Sequence, residues 1–377
     1  MTTTATKRRK NTGTTLPRHV LLGALKDVHA AVPTRSPKPV LTNVLLRDGT
    51  ITGNDLELQV ACEIDWLGDP LLLPHARLRS ILEAATGDDV TLTVDGSACV
   101  VTVGRGEWRL PVEDAAEFPT SEPADLASVC RIPCDQFARA VRSVAYAADG
   151  ESSRFALGAV LVEVRGDKCS FVATDGRRLG VATVEHDQAV DDRDVLVPER
   201  AMVLMASVAA RKENEDLAVQ LEASKSELVA TIGGTTITAR LVEGRFPRWR
   251  DVIPERAASD MHVADIATLL GATRAAAVCT SEQSKGVEYT FSEDGISLHG
   301  QSADSGESTV QCDLLTAGPA GNVKLDPRYV AEACRALAGL AEPNVRISVA
   351  GRGDAVLLLC GEDDEYRTVI MPLAEDA

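Results

Sequence analysis

Asp175 and Arg178 stand three positions apart in the stretch FVATDGRRLGVATV, residues 171–184, and their types could do chemistry. A carboxylate beside a guanidinium can bind an anionic group or assist proton transfer. The same spacing also suits a turn, in which Asp accepts from its own backbone and Gly176 supplies positive φ. Support for catalysis is thin elsewhere. The histidines are His19, His29, His75, His186, His262 and His299, and none lies within metal-ligand spacing of another. Nine cysteines run from Cys62 to Cys360 without a CxxC, and the closest pair, Cys130 and Cys134, has no histidine partner. Buried thiols in a reducing cytoplasm are expected, with neither disulfides nor a metal. No phosphate-cradling loop, GxSxG elbow or HExxH motif occurs, so no cofactor is expected. Pairing within a turn explains Asp175 and Arg178 better than an active site does.

The elements around that turn read as two strands. A hairpin needs only Asp-Gly, and Arg177, Arg178 and Leu179 exceed what it requires. A solvated tip and a binding rim both remain open from these residues alone. The chain of 377 residues has room for two or three domains. Aromatics make up only 3%, so Val, Leu, Ile and Ala must build the cores. No apolar run approaches the roughly 20 residues that cross a bilayer. The opening MTTTATKRRKNTGTT is basic but lacks the apolar core of a signal peptide, and residues 1–15 read as a disordered tail.

Three segments share one layout. Each has a short apolar strand, a proline at Pro74, Pro198 or Pro327, a helix of about three turns, then alternating strands. A second helix precedes each, beginning at Pro17, Pro133 and Val263. The class is therefore α+β: three tandem domains, each of two strand–helix–strands units, over residues 16–128, 129–256 and 257–377. Recurrence on this scale favours an assembly of equivalent modules over one catalytic cleft.

The net charge of −17 should repel nucleic acid if it is spread evenly. It is not spread evenly. Buried stripes such as Phe137, Val141 and Val144, or Leu78, Ile81 and Leu82, leave helix faces expected to carry Arg18, Lys26, Arg77, Arg79, Arg139, Arg142, Arg200, Arg211, Lys212, Arg274, Arg328 and Arg335. The same helices hold fewer acids. Ordinary solvated faces and a convergent basic surface both fit this pattern.

Four motifs then carry a resemblance over nearly the whole chain after residue 15. They are RSPKPVLTNVLL with TGNDLEL, then ATDGRRL, LVEGRFPRWRDVIP and TVIMPL. The sequence resembles the bacterial sliding clamps, the beta subunits of DNA polymerase III. The resemblance implies the DNA-clamp fold, with helices lining a central hole and sheets outside. It implies a head-to-tail homodimer that encircles duplex DNA without reading sequence and confers processivity on polymerases. Further implied partners are a clamp loader and repair proteins with clamp-binding motifs; no membrane is involved.

Matched by position, a partner-peptide pocket is implied at Leu157, Thr174, Gly176, Arg177, Arg178, Leu179, Pro247, Val252, Tyr329, Val369, Ile370, Met371, Pro372 and Leu373. The implied occupant has a glutamine followed by spaced aliphatic and aromatic residues. Trp108 and Leu110 match one half of the dimer contact, and Ala277 with Val278 the other. Arg35 lies in the loop where the family has a DNA-contacting arginine, and Arg77, Arg79, Arg139 and Arg142 on the inner helices are expected to contact phosphates. Arg177 stands where histidine is common, Arg248 where an acid is common, and Asp251 where a base is common. These departures raise a second possibility within the class: a second clamp copy tuned to particular partners or resistant to pocket-directed inhibitors. The rivals outside it are an enzyme and a monomeric peptide-binding scaffold.

Overall fold

The computed structural model describes residues 13–150, 155–186, 191–281, 286–340 and 342–374. Six α-helices occur among them: α1 (Arg18–Val28), α2 (His75–Ala84), α3 (Cys134–Ala145), α4 (Glu199–Ala209), α5 (Ile266–Ala276) and α6 (Pro327–Leu337). Four begin directly after a proline that ends a strand: Pro17, Pro74, Pro133 and Pro198. The fixed φ of Pro74 and Pro198 suits a helix's first turn, yet neither lies inside it. They sit one residue earlier, because the strand runs into the helix without a loop and the fixed φ serves both. Pro327 does occupy the first turn, behind Asp326, whose carboxylate accepts from the Arg328 amide at 2.9 Å.

Two compact units emerge. Among the described residues, the first holds those from 13 to 126 with 227–240, the second those within 127–226 and 241–374. In the first unit, Thr14–Pro17 pairs with Asp89–Asp95, followed by Ala98–Val103 and Gly106–Pro111. Thr14 and Thr15 are therefore strand and not tail, anchored by Leu16, which is buried. Residues 1–12 of the expected tail lie outside the described residues. The hairpin 227–240 joins this unit because Thr235–Arg240 pairs antiparallel with Leu58–Glu63. Helices α1 and α2 pack through Leu21, Leu25, Leu78 and Leu82, all buried.

In the second unit one antiparallel sheet has the order Arg193–Pro198, Ala159–Arg165, Lys168–Thr174, Arg178–Glu185, Tyr366–Ile370, Val356–Cys360, Asn344–Ser348, His262–Asp265. Strands from the second and third sequence repeats thus share one sheet, which joins two repeats in one compact unit. A four-stranded sheet runs Gly306–Cys312, Gly295–Ser302, Val287–Ser292, Gly321–Leu325. Helix α3 buries the expected stripe, and Phe137 meets Phe171 edge to face at 5.5 Å. Burying each such ring contributes roughly 2–3 kcal/mol. A Cβ on Gly180 would lie 3.1 Å from the Val144 Cα, so glycine here lets α3 lie close on its strand.

Candidate partner-binding site

The hairpin tip is closed by its own side chains. Asp175 Oδ1 accepts from the amides of Arg177 at 2.8 Å and Arg178 at 2.9 Å. Thr174 Oγ1 donates to the Arg178 carbonyl at 2.6 Å and accepts from the Gly176 amide at 3.0 Å. Gly176 takes φ 86°, the left-handed region. Asp175 is thus engaged as a turn residue, as its spacing suggests.

Arg178 does more than close the turn. Its Nε donates to Asp175 Oδ2 at 3.1 Å, and its Nη1 donates to Glu332 on α6. The guanidinium lies over the Tyr329 ring at 4.6 Å and the Tyr146 ring at 5.3 Å. The Tyr146 hydroxyl pairs with Thr368 at 3.0 Å, and burial pushes its phenol pKa up. The tip is therefore fixed to both α6 and the final strand.

That final strand supplies the second wall. Leu179 pairs with Val369, and the Met371 amide donates to the Arg177 carbonyl at 2.8 Å. The third wall is the segment 247–252. Buried Trp249 anchors it in a cluster with Leu161, Leu179, Leu359 and Val369. Arg250 stacks on the indole at 4.0 Å and chelates Glu163, itself 5% exposed. A charge that buried requires such a partner.

The walls enclose a mainly apolar cavity of about 120 Å³ lined by Thr174, Gly176, Arg177, Arg178, Leu179, Pro247, Arg248, Trp249, Val252, Val369 and Met371. Val252 and Met371 stay largely exposed at its mouth, where an apolar anchor could cover them. Five expected wall residues are absent from the lining. Ile370 is fully buried on the opposite sheet face, because alternate residues of a strand point apart. Leu157 is buried beside Asp149, whose amide donates to its carbonyl. Tyr329 faces the Arg178 guanidinium, while Pro372 and Leu373 leave the cavity as the Leu373 amide donates to the Lys324 carbonyl. Trp249 and Arg248 were not read as walls. A lone Trp after Pro247 in an aromatic-poor chain was the available signal. A larger groove of about 680 Å³ mixes Arg131, Arg139, Lys168 and Arg367 with Glu185, Asp363, Asp364 and Glu365. Its lining is more polar than apolar, whereas that of the small cavity is almost wholly apolar.

The helix cations divide into two groups. Arg18 donates to the carbonyls of Leu82 and Gly87, Arg79 pairs with Glu83 at 2.9 Å, Arg139 with Asp135 at 2.9 Å and Arg328 with Asp326 at 2.7 Å. Lys26, Arg77, Arg142, Arg274 and Arg335 are exposed and join no ion pair among the described residues. So does Arg35, in the loop after α1. Each of α1, α2, α3, α5 and α6 thus presents one uncommitted cation. No cluster of potential metal ligands occurs among the described residues.

Trp108 and Leu110 lie on Gly106–Pro111, an edge strand of the first unit. Trp108 folds over Gly106, where a Cβ would come within 2.2 Å of the indole. In the second unit Gly306–Cys312 is likewise an edge, and Ala277 and Val278 form a short turn packed beside it. Val278 is 74% exposed.

Family models for the DNA polymerase III beta subunit match three consecutive stretches: the N-terminal domain at residues 13–122, the central domain at 131–248 and the C-terminal domain at 250–374. The chain belongs to the DNA polymerase III beta subunit family. This family member is similar to the beta sliding clamp of Escherichia coli K12, with 25% identity over 374 residues, covering 95% of this chain and 99% of that one. The beta sliding clamp of Pseudomonas putida KT2440 is 24% identical, with the same coverage. Among solved structures, the Pseudomonas aeruginosa DnaN sliding clamp bound to griselimycin superposes with TM-score 0.88 at 23% identity, covering 96% of this chain and 99% of that one. The Thermotoga maritima beta subunit gives 0.86 at 19%, covering 97% of this chain and 100% of that one. The fold is that of the sliding clamps, and the family's function is that of a non-catalytic processivity subunit. No helix among the described residues is long and apolar enough to cross a membrane.

Proposed function

We propose that two copies of this chain close head to tail into a ring around duplex DNA and hold polymerase subunits and repair proteins there through the cavity beside Gly176. The three sequence repeats act as the ring's modules, helices inward and sheets outward, in the cytoplasm. The observation that carries this reading is the uncommitted cation on each of five helices of a chain whose net charge is −17. Cations on helix faces attract phosphates without reading bases, and the acidic remainder discourages binding elsewhere. The edge strand carrying Trp108 and the edge strand Gly306–Cys312 beside Val278 support closure, since an unpaired edge is a template for another strand. Loading falls to a separate ATP-driven loader. Sedimentation tests the assembly: a species of twice 40.0 kDa at micromolar concentration is expected, and a persistent monomer would favour a peptide-binding scaffold instead.

A second reading within the class is a clamp copy specialised in partner choice or in resistance to pocket-directed inhibitors. Exposed Arg177 and Arg248 on the cavity rim favour it. Competition between a polymerase-tail peptide and such an inhibitor tests it, and ordinary affinities for both would remove its basis.

A further inference from the structure

The apolar cavity does not end at Trp249. Pro247, Arg248 and Trp249 form a shared wall with a second cavity of about 430 Å³, whose apolar lining is Leu161, Leu196 and Phe246. Acidic groups in that second cavity are already engaged. Glu163 is chelated by Arg250 and approached by Arg165 at 3.5 Å, and Asp194 accepts from Arg165 Nη1 at 2.7 Å. Glu243, two residues before Arg245, lines neither cavity. The cations at the mouth are free or nearly so. Arg245 is exposed with no ion pair among the described residues, and Arg248 is 84% exposed in a surface pair with Asp251. Exposed pairs of that kind are weak and exchange readily. Arg177 adds a third exposed guanidinium on the far rim.

We infer that the partner segment seated beside Gly176 continues over Pro247 into the second cavity and carries acidic residues there, placed against Arg245 and Arg248. This rests on the partner-pocket reading above and specifies the partner: an apolar anchor with a carboxylate-rich flank. Charge complementarity selects that occupant. In a chain of net charge −17, the unpaired Arg245 guanidinium and the weakly paired, exposed Arg248 beside an apolar recess favour an acidic flank and disfavour a basic one.

The test uses fluorescent peptides containing a glutamine, spaced leucines and a phenylalanine, flanked on one side or the other by three Ala, three Asp or three Lys. Anisotropy with the full chain is expected to show that Asp on one flank tightens binding roughly threefold to tenfold over Ala at low salt. The gain should shrink in 0.5 M salt, where the screening length falls to about 4 Å. In Arg245→Ala and Arg245→Glu, the Asp-to-Ala affinity ratio should collapse toward one. Anchor binding with no flank effect on either side, or a ratio that survives Arg245→Glu, would overturn the inference and leave the pocket reading standing. Failure of every peptide to bind would overturn both. A single-stranded oligonucleotide that displaces the Asp peptide as well as unlabelled peptide does would assign these arginines to phosphate and also overturn it.

Discussion

Arg178 reaches from the hairpin tip to Glu332 on α6 and lies over the rings of both Tyr146 and Tyr329. Two segments separated by 154 residues are thereby fixed at the wall of one small cavity. A flat, permanently charged fork suits this place, since it sits over two aromatic rings and meets two carboxylates at once. Arg178→Lys should keep the charge and lose the stacking, weakening an apolar-anchor peptide about tenfold or more with a lower Tm. Glu332→Gln should cost about 1 kcal/mol, because Asp175 remains as a partner. Thermal unfolding and peptide anisotropy check both.

Trp249 has a buried indole nitrogen with no hydrogen-bond partner among the described residues. Trp249→Phe should therefore lose packing volume but no hydrogen bond, at about 1–2 kcal/mol, whereas Trp249→Ala should cost about 3–5 kcal/mol. Urea unfolding measures the difference. Equal losses would contradict this account of the floor.

Eight of the nine cysteines are buried, and Cys279 alone is half-buried. Burial pushes the thiols of Cys99 and Cys312 up to about 11 and that of Cys334 to about 12, which keeps them protonated and inert. A thiol reagent at pH 8 should titrate one fast group in the native chain. Cys279 adjoins Val278, so its rate should fall as protein concentration rises through the dimerisation range.

Val278→Asp and Trp108→Asp should each yield monomers by sedimentation velocity. Gly106→Ala should act similarly without touching the charge, by pushing the Trp108 indole off its strand.

His262 is fully buried, and its Nδ1 accepts from the Gly318 amide at 2.9 Å. Burial holds its pKa below the usual imidazole value, as it does for His75. The folded state thus binds fewer protons than the unfolded chain once pH drops below about 6.5. Stability should be full above that pH and fall as pH approaches the lowered folded values. His262→Gln should flatten the profile below pH 6.5, which denaturant titration reads out.

Local chemistry was legible in the sequence. The Asp175–Gly176 turn, the α3 stripe and the prolines before the helices follow from propensity and periodicity over a few residues. Pairings distant along the chain were not. Nothing local says that Thr235–Arg240 joins the strand Leu58–Glu63, so the repeats did not mark the compact units. Position alone could not separate Ile370 from Val369, although one is core and the other lines the cavity. Nor could it separate Arg77 from Arg79, which differ only in an acid four residues on. The Trp249 role was hidden because its partners, Leu161 and Leu359, are set by the sheet.

Retention on DNA tests the central claim most directly. The chain is loaded on nicked circular plasmid with a bacterial clamp loader and ATP, gel-filtered, and compared before and after one restriction cut. The account predicts stable retention on the circle and rapid loss from the linear form, with Arg77→Glu and Arg142→Glu reducing loading. Equal retention on both forms would contradict a ring that slides.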